Sequence, residues 1–219
     1  MAKNPIINLG ALVMGSLFLE FIANYFASYF LVWNSFRTVI FLVFLNVPAL
    51  VMIFFKMKAS EMGIRWPNFK RADIVCLMIV LVCISAIIAV IRYNTNYQAS
   101  YTDFRNSGTI GERFVDFWIF TSSTLPPWEF FHRSFLLFGV FYILHKQARI
   151  DENLSKAIAI LFVCAFEVLA HFVKPLYEPL GLLFGSPIFS FIALRTKSII
   201  IPLIMHLYIE IMFFVFILS

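Results

Sequence analysis

Long apolar runs recur from one end of this sequence to the other, and they limit its fold more than any other feature. Runs of about 20 residues match the length that an α-helix needs to cross the hydrocarbon core of a bilayer. The composition agrees, because 62% of the residues are hydrophobic and only 13% are charged, whereas about a quarter of a soluble domain is charged. A transmembrane β-strand would instead alternate apolar and polar residues over about ten positions. The sequence therefore predicts an all-α, polytopic transmembrane helix bundle, and it excludes a soluble enzyme, a disordered chain and a disulfide scaffold.

The apolar runs divide residues 1–219 into seven predicted helices within a single integral membrane domain. The seven are Leu9–Trp33, Thr38–Phe55, Ile74–Ile91, Trp128–Leu144, Ala157–Val173, Leu180–Leu194 and Ile199–Leu218. The polar stretch 92–112 is predicted to be a loop. Phe114–Thr124 is predicted to be a short or re-entrant helix that ends at Pro126 and Pro127, because proline interrupts the hydrogen bonds of a helix. If this segment spans the membrane, the bundle has eight helices.

The 17 basic residues, which give the chain a net charge of +5, are found mostly between the predicted helices. Lysine and arginine are enriched in the cytoplasmic loops of membrane proteins. Most of them fall on the side of Lys3, in residues 56–73, 145–156 and 195–197, which predicts a cytoplasmic amino terminus. We expect a bacterial inner membrane as the location and the lipid bilayer as a partner. The basic charge is thereby assigned to topology, and no nucleic-acid partner is predicted.

Ionisable residues inside the predicted helices form pairs that are four positions apart. The pairs are Glu129 with Arg133, Glu167 with His171, and His206 with Glu210, and Glu178 follows the second pair. Residues four apart lie on one face of a helix, and charged groups in a bilayer usually face the interior of a bundle. We therefore expect the three polar faces to pack together. Carboxylates and imidazoles in one such pocket are suited to acid–base chemistry on water.

The same residues leave simpler interpretations open. Glu129 and Arg133 also suit a neutralised ion pair that only fixes helix packing. His132 and His145 lie near a helix end and in a polar loop, and neither is expected to be central. His171, His206 and Glu129 would suit a divalent metal such as zinc, although the sequence has no HExxH motif. We expect a site without a cofactor, and the metal site stays as the alternative.

Three motifs resemble those of a known family of membrane proteases. The first is Pro127-Trp128-Glu129-Phe130-Phe131-His132-Arg133, the second is Glu167 to His171 with Phe166 before it, and the third is His206 followed by Glu210. Their order and spacing over about residues 114–214 are similar to those of the CAAX protease and bacteriocin-processing enzymes, the CPBP or Abi family. The stretch His171-Phe172-Val173-Lys174-Pro175 with Glu178, and Leu194-Arg195-Thr196-Lys197-Ser198-Ile199 further on, resemble one bacterial branch of that family.

The resemblance implies a glutamic-type intramembrane endopeptidase that cleaves a membrane-embedded or lipid-anchored peptide. Trp128 stands where the family has its first, water-activating glutamate. Another carboxylate must then activate the water, and we expect Glu129 to do so, with Glu167 and Glu178 as the other candidates. Arg133 would neutralise and position Glu129, and His171 would share the proton of the attacking water. The family places a Phe at the position of Glu167.

The third motif would stabilise the oxyanion that forms on the cleaved carbonyl. His206 would help to hold this oxyanion, and Glu210, which stands where the family has Asn or Asp, could donate to it only when protonated. These departures also support an alternative, a catalytically degenerate family member that acts as a membrane scaffold or an immunity-type binding protein. A transporter that uses the polar faces as an ion path is the third hypothesis, and no inverted repeat supports it.

Overall fold

The computed structural model describes residues 4–29, 42–54, 57–91, 93, 108–172 and 176–218. About 86% of the described residues are helical, and no strand occurs among them. The helices are α1 (Pro5–Tyr29), α2 (Val47–Phe54, preceded by a π-helical turn at Leu42–Asn46), α3 (Arg71–Ile91), α4 (Ile110–Glu129, continued by Phe130–Phe138, Gly139–Tyr142 and Ile143–Gln147), α5 (Glu152–Ala170), α6 (Tyr177–Thr196) and α7 (Ile200–Phe213, continued by Phe214–Leu218). Most of the predicted loop 92–112, and residues 173–175 with Lys174 and Pro175, lie outside the described residues.

Three of the described helices are long and apolar enough to cross a membrane. They are Arg71–Ile91, Glu152–Ala170 and Tyr177–Thr196, and two shorter apolar helices occupy Pro5–Leu19 and Ile200–Phe216. α3 is the most apolar of the three, and only 6% of its most hydrophobic window is buried inside the protein. An apolar helix with so little protein cover is typical of a lipid-facing span. The helical, membrane class predicted from the sequence agrees with this structure.

The predicted helix end at Pro126 and Pro127 is wrong. The structure continues α4 through both prolines and on to Gln147. Ser123 and Thr124 donate side-chain hydrogen bonds to the carbonyls of Ile119 and Phe120, at 2.8 to 3.0 Å, and such bonds often bend a helix. The N–H of Phe130 bonds back to the carbonyls of both prolines, and from there the backbone widens into a π-helix over Phe130–Phe138. Phe114–Thr124 is therefore part of one long helix.

The main hydrophobic core surrounds the π-helical part of α4. Phe131, Leu136 and Leu137 are completely buried there, next to Phe44. The same core includes Ala159, Val163 and Ala193, which are also fully buried. These three residues belong to α5 and α6. Small side chains such as alanine let helix backbones approach closely inside a membrane. The core thus holds α5 and α6 against the stretch of α4 that contains Arg133.

The loop between α2 and α3 is fastened to the turn between α6 and α7. The N–H of Asn68 donates to the Thr196 carbonyl at 3.1 Å, and the N–H of Ile199 donates to the Gly63 carbonyl at 3.0 Å. The hydroxyl of Ser134, in α4, donates to the Met62 carbonyl at 2.7 Å, and Met62 is fully buried. Two of the basic segments assigned from the sequence to one side of the membrane therefore lie at the same end of the protein.

Candidate active site

Glu129 lies at the centre of a buried polar cluster. It is the last residue of the α-helical part of α4, and its side chain is completely buried. Its Oε1 lies 2.7 Å from Nδ1 of His206, on α7. Its Oε2 lies 3.7 Å from Nε of Arg133, one turn further along α4. A single carboxylate therefore faces an imidazole from another helix and a guanidinium from its own.

Arg133 connects Glu129 to a second buried carboxylate. Its Nη1 lies 2.8 Å from Oε2 of Glu167, on α5, and both side chains are 1% exposed. Phe189, on α6, places its ring 5.9 Å from the guanidinium carbon, within the range of a cation–π contact. Two buried carboxyl groups therefore face one guanidinium, and the one on Glu129 also faces His206.

The side chains of the cluster become more exposed from Glu129 toward Glu210. Glu129 is 0%, His206 21% and Glu210 34% exposed, and Nε2 of His206 lies 3.7 Å from Oε1 of Glu210. A carboxylate only accepts hydrogen bonds, so the 2.7 Å contact places a proton on Nδ1 of His206. In the neutral form of the imidazole the lone pair is then on Nε2, which faces the more accessible side of the cluster.

Trp128 links the cluster to two further histidines. Its Nε1 donates to Oε1 of Glu167 at 3.3 Å. Its ring lies 4.2 Å from the ring of His132 and meets the ring of His171 edge-on, with centroids 5.3 Å apart. His132 is completely buried, although it was not expected to be central from its place in the sequence. The sequence feature that could have predicted this contact is the spacing of four between Trp128 and His132, the same spacing as in the ionisable pairs.

His171 and Glu178 lie at the junction between α5 and α6. α5 ends at Ala170, so His171 follows the helix, and its Nδ1–H donates to the Glu167 carbonyl at 2.8 Å. Glu178 lies in the first turn of α6, and its side chain is half-buried. Of the seven residues predicted for the site, side-chain contacts of 2.7 to 3.7 Å join Glu129, Arg133, Glu167, His206 and Glu210. His171 joins them through Trp128.

Several buried polar atoms of the cluster make no aligned hydrogen bond. Among the described residues they are Oε2 of Glu129, Nε and Nη1 of Arg133, Oε2 of Glu167 and the hydroxyl of Ser186. The Glu129, Arg133 and Glu167 atoms face one another as ion pairs instead, at 2.8 and 3.7 Å. Buried polar atoms are nearly always paired in folded proteins, so electrostatic contact takes the place of aligned hydrogen bonds here.

The zinc alternative concerns His171, His206 and Glu129. Among the described residues, no group of three or more His, Cys, Asp or Glu side chains has the arrangement of a metal site. Oε1 of Glu129 faces Nδ1 of His206, and Oε2 faces Nε of Arg133. Both oxygens of Glu129 therefore have partners within the protein, and the site without a cofactor and the zinc site both stay predictions.

No protein-family model, curated protein or solved structure matches this chain. The resemblance to the CPBP family therefore depends on the sequence motifs alone.

Proposed function

We propose that this protein is an intramembrane endopeptidase similar to the CPBP family, built as a bundle of seven or eight helices in a bacterial inner membrane. The observation that supports it best is the part-buried hydrogen bond between Glu129 and His206, 2.7 Å long. A carboxylate that holds an imidazole in one tautomer is a recurrent arrangement for activating a nucleophile. Here it lies among apolar helices, where water and a membrane peptide would meet away from bulk solvent.

In this proposal His206 is the general base and Glu129 is the residue that orients it. Nδ1–H of His206 is held by Glu129, so the lone pair of Nε2 can take a proton from a water molecule. The hydroxide oxygen then forms a bond to the peptide carbonyl carbon. The same proton passes from Nε2 to the departing amine as the carbon–nitrogen bond breaks. Glu129 stabilises the imidazolium between these steps, as a buried carboxylate does for an imidazole base.

Arg133 acts as a positioning residue in this scheme. Its guanidinium is 1% exposed and lies between the carboxylates of Glu129 and Glu167. Because both partners are buried, the ion pairs fix the carboxylate of Glu129 opposite His206. Glu210, which is one-third exposed beside Nε2, marks the side from which water and peptide would approach. The roles differ from those implied by the family, where Glu129 would be the base and His206 an oxyanion ligand.

The alternative is a binding protein that has lost catalysis, and Trp128 is the observation that favours it. The indole occupies the motif position at which the family has a glutamate. It also donates to Glu167 and packs against His132 and His171. An indole cannot act as a general base, so this position has only a packing and hydrogen-bonding role here. In this alternative the whole cluster fixes the helices for a membrane partner.

The two candidates are separated by quantitative terminal peptidomics on membranes with matched amounts of each variant. Glu129→Gln and His206→Gln keep the size of the side chains and remove the acid–base pair. Glu152→Gln and His145→Gln are the controls, because they change the same residue types outside the cluster. The endopeptidase proposal expects one membrane protein to accumulate uncleaved in both site variants and in neither control. An unchanged peptide profile, with a normal fold, would instead favour the binding protein.

A further inference from the structure

A basic and aromatic surface lies at one end of the molecule, separate from the buried cluster. We define the basic face as residues 57–73 with the turn 195–199. Its ionisable side chains are six basic ones, Lys58, Arg65, Lys70, Arg71, Arg195 and Lys197, and two acidic ones, Glu61 and Asp73, so its net charge is +4. All six basic side chains are exposed. Trp66 is 83% exposed, Ile64 41% and Phe69 38%, which makes the same loop apolar as well as basic.

The basic face has a fixed backbone. The carbonyl of Arg65 accepts a hydrogen bond from the Ser198 hydroxyl at 2.6 Å, and the N–H of Asn68 donates to the Thr196 carbonyl at 3.1 Å. Met62 is buried against the hydrophobic core, and Gly63 follows it in a left-handed conformation, with a φ of 73°. The fold therefore holds the loop in place while Trp66 points outward. Preorganised groups lose less conformational entropy when they bind a ligand.

The loop of the basic face directly precedes α3 in the chain, and this position places it at the membrane surface. Arg71 is the first residue of α3, the most apolar span. Ile74, Val75 and Met78 in the first turns of α3 are half or more exposed, as expected of side chains that contact lipid. Phe69 and Trp66 precede this span by two to five residues, where the headgroup region of a bilayer begins. Tryptophan is enriched at that depth because its ring is amphipathic.

We propose that the basic face is a binding site for anionic phospholipid headgroups. The lysine and arginine side chains supply the positive charge that a phosphate diester requires, and arginine can bind it through two nitrogens. Trp66 and Phe69 insert beside the acyl chains and fix the depth of the headgroup. Arg195 pairs with Asp73. The other basic side chains of the face are Lys58, Arg65, Lys70, Arg71 and Lys197. This site does not depend on the endopeptidase proposal.

Lipid retention in nanodiscs tests the site. The full chain is reconstituted in phosphatidylcholine with and without phosphatidylglycerol, and bound phosphatidylglycerol is counted by native mass spectrometry. Arg65→Gln/Lys70→Gln/Arg71→Gln removes three charges from the basic face. Lys146→Gln/Arg149→Gln/Lys156→Gln removes three charges from another basic segment of the same predicted side and is the matched control. Circular dichroism of both variants confirms that they keep their helical fold.

A basic residue at an anionic membrane surface strengthens binding by about fivefold, so the first variant should retain phosphatidylglycerol about 100-fold more weakly. The control segment does not contain Trp66 and Phe69, which fix the depth of the headgroup in this proposal, so it should change retention by less than about fivefold. Equal losses in both variants, or none in the first, would overturn the proposal. Quenching by brominated phosphatidylglycerol gives a second readout. It should fall in a Trp66→Phe variant, and unchanged quenching would show that Trp66 does not contact the lipid.

Discussion

Replacing Arg133 with methionine should destabilise the protein severely, because Arg133 is the cation between two buried carboxylates. Its guanidinium contacts Glu129 at 3.7 Å and Glu167 at 2.8 Å, and all three side chains are at most 1% exposed. Removing one partner of a buried pair leaves an uncompensated charge and costs about 3 to 5 kcal/mol. Methionine is similar in length and flexible, so the loss of packing adds little. We expect the free energy of unfolding to fall by that amount.

A double-mutant cycle separates the ion pair from other effects. Glu167→Gln alone should cost less, about 1 to 3 kcal/mol, because Arg133 keeps Glu129 and the amide still accepts from Trp128. In the double variant residue 167 is neutral, so the loss of Arg133 leaves no uncompensated charge at that position. The coupling energy between the two positions should therefore be about 1 to 3 kcal/mol.

Reversible unfolding in mixed detergent micelles, followed by circular dichroism, gives the free energy of unfolding of the wild type, the two single variants and the double variant. Glu152 and Lys156 form an exposed pair, 2.6 Å apart on the surface of α5, and provide the control cycle. Solvent screens such pairs, so their coupling should be small. An Arg133→Met variant no less stable than Lys156→Met would refute a stabilising role for the buried ion network.

Further predictions concern a glycine, a helix cap and metal removal. Gly63→Ala should destabilise the fold by about 1 to 3 kcal/mol in thermal unfolding, because a β-carbon there would overlap the Phe138 ring and the backbone is left-handed. Gly181→Ala, where the β-carbon has open space, is the control and should be neutral or slightly stabilising. The backbone N–H groups of Leu154 and Asn153 lower the pKa of Asp151 below its ordinary value of 3.8. The cap of α5 should thus be intact above pH 3.8 and weaken as the pH falls through the lower folded pKa. Protection of the Leu154 amide from exchange, relative to the intrinsic rate at each pH, should fall in the wild type and stay constant in Asp151→Asn. Treatment with a chelator should leave proteolysis unchanged, and a loss restored by zinc would contradict the metal-free scheme.

The helical membrane class follows directly from the length of the apolar runs. The end predicted at Pro126 and Pro127 was wrong because a helix can continue past proline when its backbone changes geometry. The N–H of Phe130 bonds to the carbonyls of both prolines, and the following turns widen into a π-helix. This change is not visible in hydrophobic periodicity, since it depends on how the backbone relaxes.

The candidate site was partly predictable from the spacing of charged residues. The i, i+4 rule places Arg133 beside Glu129 and Glu210 beside His206, and these contacts occur at 3.7 Å in both cases. Which helices meet is a property of tertiary packing, so the sequence could not show that His206 is the histidine hydrogen-bonded to Glu129. His171 lies just past the end of α5, where the helical spacing no longer applies. Trp128 and His132 were underestimated because their contribution depends on ring packing.

In the proposed mechanism Glu129 and His206 act as one catalytic unit. The most direct test uses purified protein in liposomes and measures the rate at which it cleaves the membrane substrate identified by peptidomics. Glu129→Gln and His206→Gln should each lower the rate by about 10² to 10⁴, and the double variant should be no slower than the worse single one, since residues of one unit are not additive. Full activity of folded Glu129→Gln protein would contradict the account.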